Sequence, residues 1–79
     1  MAKKIVKLIF PQKLIKEPVT FRMAKKFDVI PNIRRANVTE TVGELILDLE
    51  GKPEDIEKGI AYLRKSGIEI EPIVGDIVE

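Results

Sequence analysis

Between Gly43 and Gly51 the chain reads GELILDLEG, and Leu45, Leu47 and Leu49 alternate without a break with Glu44, Ile46, Asp48 and Glu50. A period of two places the leucines on one side of a strand and the acids on the other, so Glu44 to Glu50 is a strand with one face in a core and one mostly wet, stopped by Gly51. The preceding residues, Asn32 to Val38, read as a less regular strand in which Ile33, Ala36 and Val38 are set against Arg34 and Asn37. Thr39 to Gly43 supplies the reversal. A central hairpin results, and the rest of the chain has to cover its leucine face.

The flanks of the hairpin repeat one design. Lys3 to Phe10 is the first strand, with Val6, Leu8 and Phe10 on one side and Ile5, Lys7 and Ile9 on the other. Pro11, which cannot donate to a ladder, ends it, and Gln12 to Glu17 is a connection. Pro18 opens a helix at its first position, where a missing N–H costs nothing. Val19, Met23 and Phe27 then recur every four residues beside Thr20 and Ala24, an apolar stripe bounded by Arg22, Lys25 and Lys26. Asp28 to Pro31 closes this helix, because the residue before a proline is driven out of the α region.

After Gly51 and Lys52, Pro53 repeats the helix start, with Glu54, Asp55 and Glu57 in the first turn, where the helix dipole favours carboxylates. Ile56, Ile60 and Leu63 are its buried stripe and Gly67 its stop. Gly59 costs roughly 1 kcal/mol relative to alanine inside a helix, which predicts a close approach of helix to sheet there. Ile68, Ile70 and Pro72 alternate with Glu69, Glu71 and Ile73 in a fourth strand, and Val74 to Glu79 is a short tail.

The order β-α-β-β-α-β defines an α+β fold: a ferredoxin-like sandwich, its four-stranded antiparallel sheet carrying two helices on one face. Residues 1–79 form one domain, and a chain this short buries only about 60–65% of its unfolded surface, so a homodimer is expected to enlarge the core. The second sheet face is left without cover. Ile5, Ile9, Ile46 and Ile73 on that face are the predicted partner surface. The alternative is an amphiphilic open face in which Lys7 pairs with Asp48 or Glu50.

Absent residue types remove much chemistry. With no cysteine and no histidine, the chain by itself has no disulfide, thiol nucleophile, Cys-ligated iron–sulfur cluster, Cys/His zinc site or imidazole base. Glu44, Asp48 and Glu50 share one strand face and could meet a hard cation, but alternating acids on an exposed strand are ordinarily solubilising, so no metal, cofactor or catalytic residue is assigned. The glycines stand singly at turns, with no phosphate loop among them. MAKKIVKLIF carries Lys7 in a short β-branched run, so it is read as a strand of a cytoplasmic protein rather than a signal or membrane segment.

The formal net charge is +1, unevenly placed: residues 1–35 hold ten Lys/Arg and two Asp/Glu, net +8, and residues 36–79 hold four and eleven, net −7. This distribution predicts pairing between the two halves. Nucleic acid is not an expected partner, since three of the four aromatics (Phe10, Phe21, Phe27, Tyr62) sit where a core wants them. The residues left for a ligand lie along PNIRRAN. Asn32 follows a proline at a strand start, where its amide can donate to and accept from an amino-acid backbone. Arg34 and Arg35 are expected on opposite faces.

Taken together, KKFDV, then PNIRRANVTETVGELILDLEG with its Asn-Ile-x-x-Ala-Asn core and Gly-led strand, then IEKGIAYLRKSGIEIEPI, resemble the NIL domain family over nearly the whole chain. That family occurs at the C-terminus of methionine-importer ATPases, fused to small ferredoxins, and free-standing. The resemblance implies the same sandwich fold and a module that binds methionine between paired domains and restrains transport. It implies ligand roles for Asn32 and Ile33, and a polar position at Asn37. The short ETVG hairpin, with Arg34 and Arg35 where transporter members carry smaller or apolar residues, is more similar to the free-standing and ferredoxin-fused members. These imply an alternative role as an accessory to an iron–sulfur or homocysteine-forming partner in sulfur metabolism, with the cluster on another chain.

Overall fold

In a computed structural model describing residues 2–73, the elements follow in the predicted order. They are β1 (Ala2–Phe10), a turn of 3-10 helix (Gln12–Leu14), α1 (Val19–Phe27), β2 (Ile30–Val38), β3 (Gly43–Gly51), α2 (Pro53–Lys65) and β4 (Glu69–Pro72). The strands lie in the order β2-β3-β1-β4, each antiparallel to its neighbour. The two β-α-β units are therefore interleaved, and β2 and β4 are the edges. The tail from Val74 to Glu79 lies outside the described residues.

Val6, Leu8, Leu47, Leu49 and Ile70 of the sheet join Val19, Met23, Ile56, Ile60 and Leu63 of the helices in one buried cluster. Both helices thus cover the leucine face, and each such side chain contributes about 1.5–3 kcal/mol by leaving water. Phe10, Phe27 and Tyr62 pack at the margin of this cluster, whereas Phe21 is 65% exposed on α1. At Gly59 a Cβ would stand 2.7 Å from Met23 Sδ. The close approach predicted there is helix to helix, not helix to sheet.

Pro18 caps α1 from just outside it, one position earlier than predicted, while Pro53 is the first residue of α2. The end of α1 is made by Asp28 rather than by Pro31. Asp28 turns left-handed (φ 58°, ψ 47°), and the Val29 N–H reaches back to the Ala24 carbonyl at 3.1 Å. This turn lets β2 begin at Ile30, inside the segment assigned to the helix stop. The end of α2 is built the same way, with Gly67 at φ 108° and the Ile68 N–H on the Leu63 carbonyl at 3.1 Å.

Three ion pairs join the basic half to the acidic one: Lys4–Glu57 at 3.2 Å, Lys7–Glu44 at 3.7 Å and Arg34–Asp48 at 3.4 Å. Lys7 therefore pairs with Glu44, not with Asp48 or Glu50. Lys4–Glu57 and Lys7–Glu44 reach the surface, so each contributes about 0–1 kcal/mol, whereas Arg34–Asp48 is mostly buried, its side chains 23% and 16% exposed.

Candidate functional site

The site predicted from the sequence lies along β2. Asn32 stands opposite Asp48, Ile33 opposite Leu47, and then Arg35 opposite Ile46, so two residues of β2 step past one on β3. This bulge at Arg34 shifts the alternation by one. Arg34 Nη1 reaches Asp48 Oδ2 at 3.4 Å on the open face, and Arg35, opposite Ile46, lies on that face too. The arginines do not split between the faces, because a strict period of two cannot register an inserted residue.

Asn32, Ile33 and Asn37 are all exposed, but one chain does not bring them together. Asn32 and Asn37 share the open face opposite Asp48 and Glu44, four residues of β3 apart, or roughly 13 Å at strand rise. Ile33 points to the helix side, beyond the reach of either helix, and is 65% exposed. Asn37 lines a shallow cavity of about 130 Å³ with Lys7, Arg35, Glu44 and Ile46. Asp48 Oδ1 is buried on the same face without a hydrogen-bond donor.

The predicted partner surface is present but broken up. Ile5, Ile9, Ile46 and Ile73 are each half-buried on the open face. Ile5 lies against Asp48, Ile9 between Glu44 and Glu69, and Ile46 between Lys7 and Arg35, while the Ile73 N–H donates to the Ile5 carbonyl at 3.1 Å. Charges stand beside Ile5, Ile9 and Ile46, while Ile5 and Ile73 are direct neighbours across the strands. Three exposed hydrophobics lie instead on the β2 edge, Ile30 at 50%, Ile33 at 65% and Val38 at 56%, with Phe21 on α1 at 65% and Val42 in the hairpin at 42%. Sequence reasoning missed Ile30 as a surface residue because it assigned Asp28 to Pro31 to the helix stop, and Val29, Ile30 and Pro31 are all apolar, so no alternation there marks which one is exposed.

The acids of β3 do not converge, since Glu44 faces Lys7 and Asp48 faces Arg34. Among the described residues no group of three or more Asp or Glu is placed to hold a metal ion, and no helix is long and apolar enough to cross a membrane.

Fold and site together define a small ferredoxin-like α+β domain whose exposed features are one long edge strand and a mixed sheet face. The chain belongs to the NIL domain family, whose model matches residues 4–72. It is 34% identical over 74 residues to the methionine import ATP-binding protein MetN 1 of Listeria innocua serovar 6a, covering 89% of this chain and 22% of that protein. It is 36% identical over 72 residues to MetN 2 of the same organism, covering 86% and 21%. The chain thus spans about a fifth of the length of these curated relatives. The crystal structure of the C-terminal domain of an ABC transporter ATP-binding protein from Enterococcus faecalis superposes with a TM-score of 0.82 at 31% identity, over 92% of this chain and 86% of that one.

Proposed function

We propose that this NIL domain is a non-catalytic regulatory module that binds a sulfur amino acid, methionine first, between two copies of the chain that meet along β2. The observation that carries this reading is the β2 edge, nine residues long and bearing Ile30, Ile33 and Val38 exposed. Edge strands are ordinarily kept short, and although β2 carries Pro31, Arg34 and Arg35, nine residues of unpaired ladder with three exposed aliphatics suit pairing with a second copy. Membership in the family and the similarity to methionine import ATP-binding proteins support the ligand class. An antiparallel pairing of β2 with its copy, centred between Arg34 and Arg35, sets Asn32 of one chain opposite Asn37 of the other. The two asparagines that stand apart in one chain then converge across the two-fold. Arg35 of both chains comes close to the centre, and a bound α-carboxylate offsets their repulsion, which couples ligand to pairing.

Docking of the open face on an iron–sulfur or homocysteine-forming partner is the weaker alternative, because Ile5, Ile9 and Ile46 there each stand beside a charge. A thermal-shift titration with L-methionine, beside homocysteine, cysteine and leucine, tests the proposal. A ligand at a hundred times its dissociation constant adds about 2.7 kcal/mol, a rise of several degrees for a domain this size. Asn32→Ala is expected to abolish that rise while leaving the ligand-free midpoint unchanged. No shift with any of the four at millimolar concentration overturns the reading.

A further inference from the structure

The helix layer carries a charge that counting by chain halves conceals. Residues 36–79 hold four cations, Lys52, Lys58, Arg64 and Lys65, and the last three fall on α2 beyond its acidic start. α1 adds Arg22, Lys25 and Lys26. The two stretches lie side by side, with Met23 against Gly59 and the Phe27 and Tyr62 rings edge to face at 5.7 Å. Val19–Phe27 and residues 58–65 thus hold six cations and no carboxylate, and all six cations are exposed. Lys26 sits between the helices, its Nζ 5.4 Å from the Tyr62 ring centroid and 5.6 Å from that of Phe27. Arg22 reaches Glu17 at 3.5 Å, whereas the ion pairs among the described residues involve none of Lys25, Lys58, Arg64 and Lys65. The acids of α2 are confined to residues 54–57, where Lys4 holds Glu57 at 3.2 Å. Phe21, one turn before Lys25 and on the same helix face, is 65% exposed in this setting.

We propose that the helix layer is a peripheral docking surface for anionic phospholipid, on which the domain lies flat without crossing the bilayer. Phe21 enters the headgroup region, and the cations around it reach the lipid phosphates. Shape and charge both favour this occupant. The Cα positions span 34 × 30 × 15 Å, a slab whose broad faces are the helix layer and the open sheet. Glu44, Asp48 and Glu50 lie on the open sheet, so an anionic surface attracts one broad face and not the other. Four of the six cations are lysines, point charges on flexible stems that suit a mobile array of phosphates. A nucleic acid finds no second stacking platform, because Phe10, Phe27 and Tyr62 pack at the core margin. A protein partner finds no socket for an anchor, since the cavities at the hairpin, the open face and the start of α2 take no lining residue from α1 or residues 58–65. Neither a polybasic face nor one apolar side chain holds a domain at a bilayer alone, and here the two coincide.

The test is co-sedimentation of the full chain with vesicles of phosphatidylcholine alone and of equimolar phosphatidylcholine and phosphatidylglycerol. The chain is expected to sediment with the mixed vesicles, to stay in solution with the neutral ones, and to be released as salt screens the charge. The chain has no tryptophan, so Phe21→Trp supplies a single fluorescent reporter, whose emission is expected to shift to the blue on the mixed vesicles. Lys25→Glu and Lys58→Glu are each expected to weaken binding at least about fivefold. Lys3→Glu makes the same charge change on the open face and is expected to stay within about twofold of the unaltered chain. Phe21→Ala is expected to weaken binding about fivefold with the circular dichroism of the fold retained. No sedimentation with the mixed vesicles overturns the proposal, and salt-sensitive binding of a single-stranded oligonucleotide in its place assigns the face to nucleic acid. Equal losses in Lys3→Glu and Lys25→Glu overturn it as well, since net charge and not this face then governs binding. Sedimentation with unmoved Phe21→Trp emission overturns it too, because another side of the domain is then in contact.

Discussion

The two edge strands of this sheet treat the same hazard in opposite ways. β4 is four residues long, turns Glu69, Glu71 and Pro72 outward, and holds Ile70 against the core beneath α2. β2 is nine residues long and turns Ile30, Ile33 and Val38 to the outside. A short strand ending in charge and proline offers little to another sheet, while a long one with exposed aliphatics is a template for pairing. One edge is closed and the other is left available. The helix ends that deliver them use one device with different residues: a positive-φ glycine, Gly67, leads into β4, and a positive-φ aspartate, Asp28, leads into β2.

This contrast predicts unequal costs of substitution. Ile70→Ala on β4 removes a side chain only 9% exposed and is expected to lower unfolding stability by about 2–4 kcal/mol in a urea titration. Gly67→Ala forces a side chain into φ 108° and is expected to cost about 1–2 kcal/mol by the same measurement. Asp28→Gly relieves the corresponding strain before β2 and is expected to stabilise by up to about 1 kcal/mol, read as a higher thermal midpoint. Ile33→Lys on β2 is expected to change monomer stability by less than about 0.5 kcal/mol while abolishing self-association in sedimentation velocity. Equal stability losses for Ile33→Lys and Ile70→Ala would show the two edges to be alike.

Much of the fold could be read from local pattern. The leucines of β3, the four-residue stripe of α1 and the Pro53 start of α2 each depend on residues a few positions apart, and each stands where the pattern puts it. The site was less legible. Asn32 and Asn37 were identified as polar groups on one strand, but the bulge that carries Arg34 and Arg35 to one face is created by the match of β2 to β3, which alternation along β2 cannot reveal. Lys7 stands opposite Ile46, so Glu44 and Asp48 are its two diagonal neighbours on β3; Arg34 from β2 takes Asp48, and Lys7 pairs with Glu44. The small cavity between Phe10, Ile15, Val38, Gly43 and Leu45 had no signature at all, since Ile15 and Val38 are far apart in the chain and each looks like an ordinary loop or strand residue.

What the sequence by itself determined is the set of elements and their order, because helix stripes, strand alternation and proline or glycine stops are enforced by backbone geometry within a few residues. What only the tertiary structure decided is which glycine met which side chain, where β2 slipped by one residue, and which apolar groups the edge left in water. Those outcomes depend on the mutual register of segments 15 to 50 residues apart, where several alignments bury the same leucines and only packing against the neighbouring element separates them.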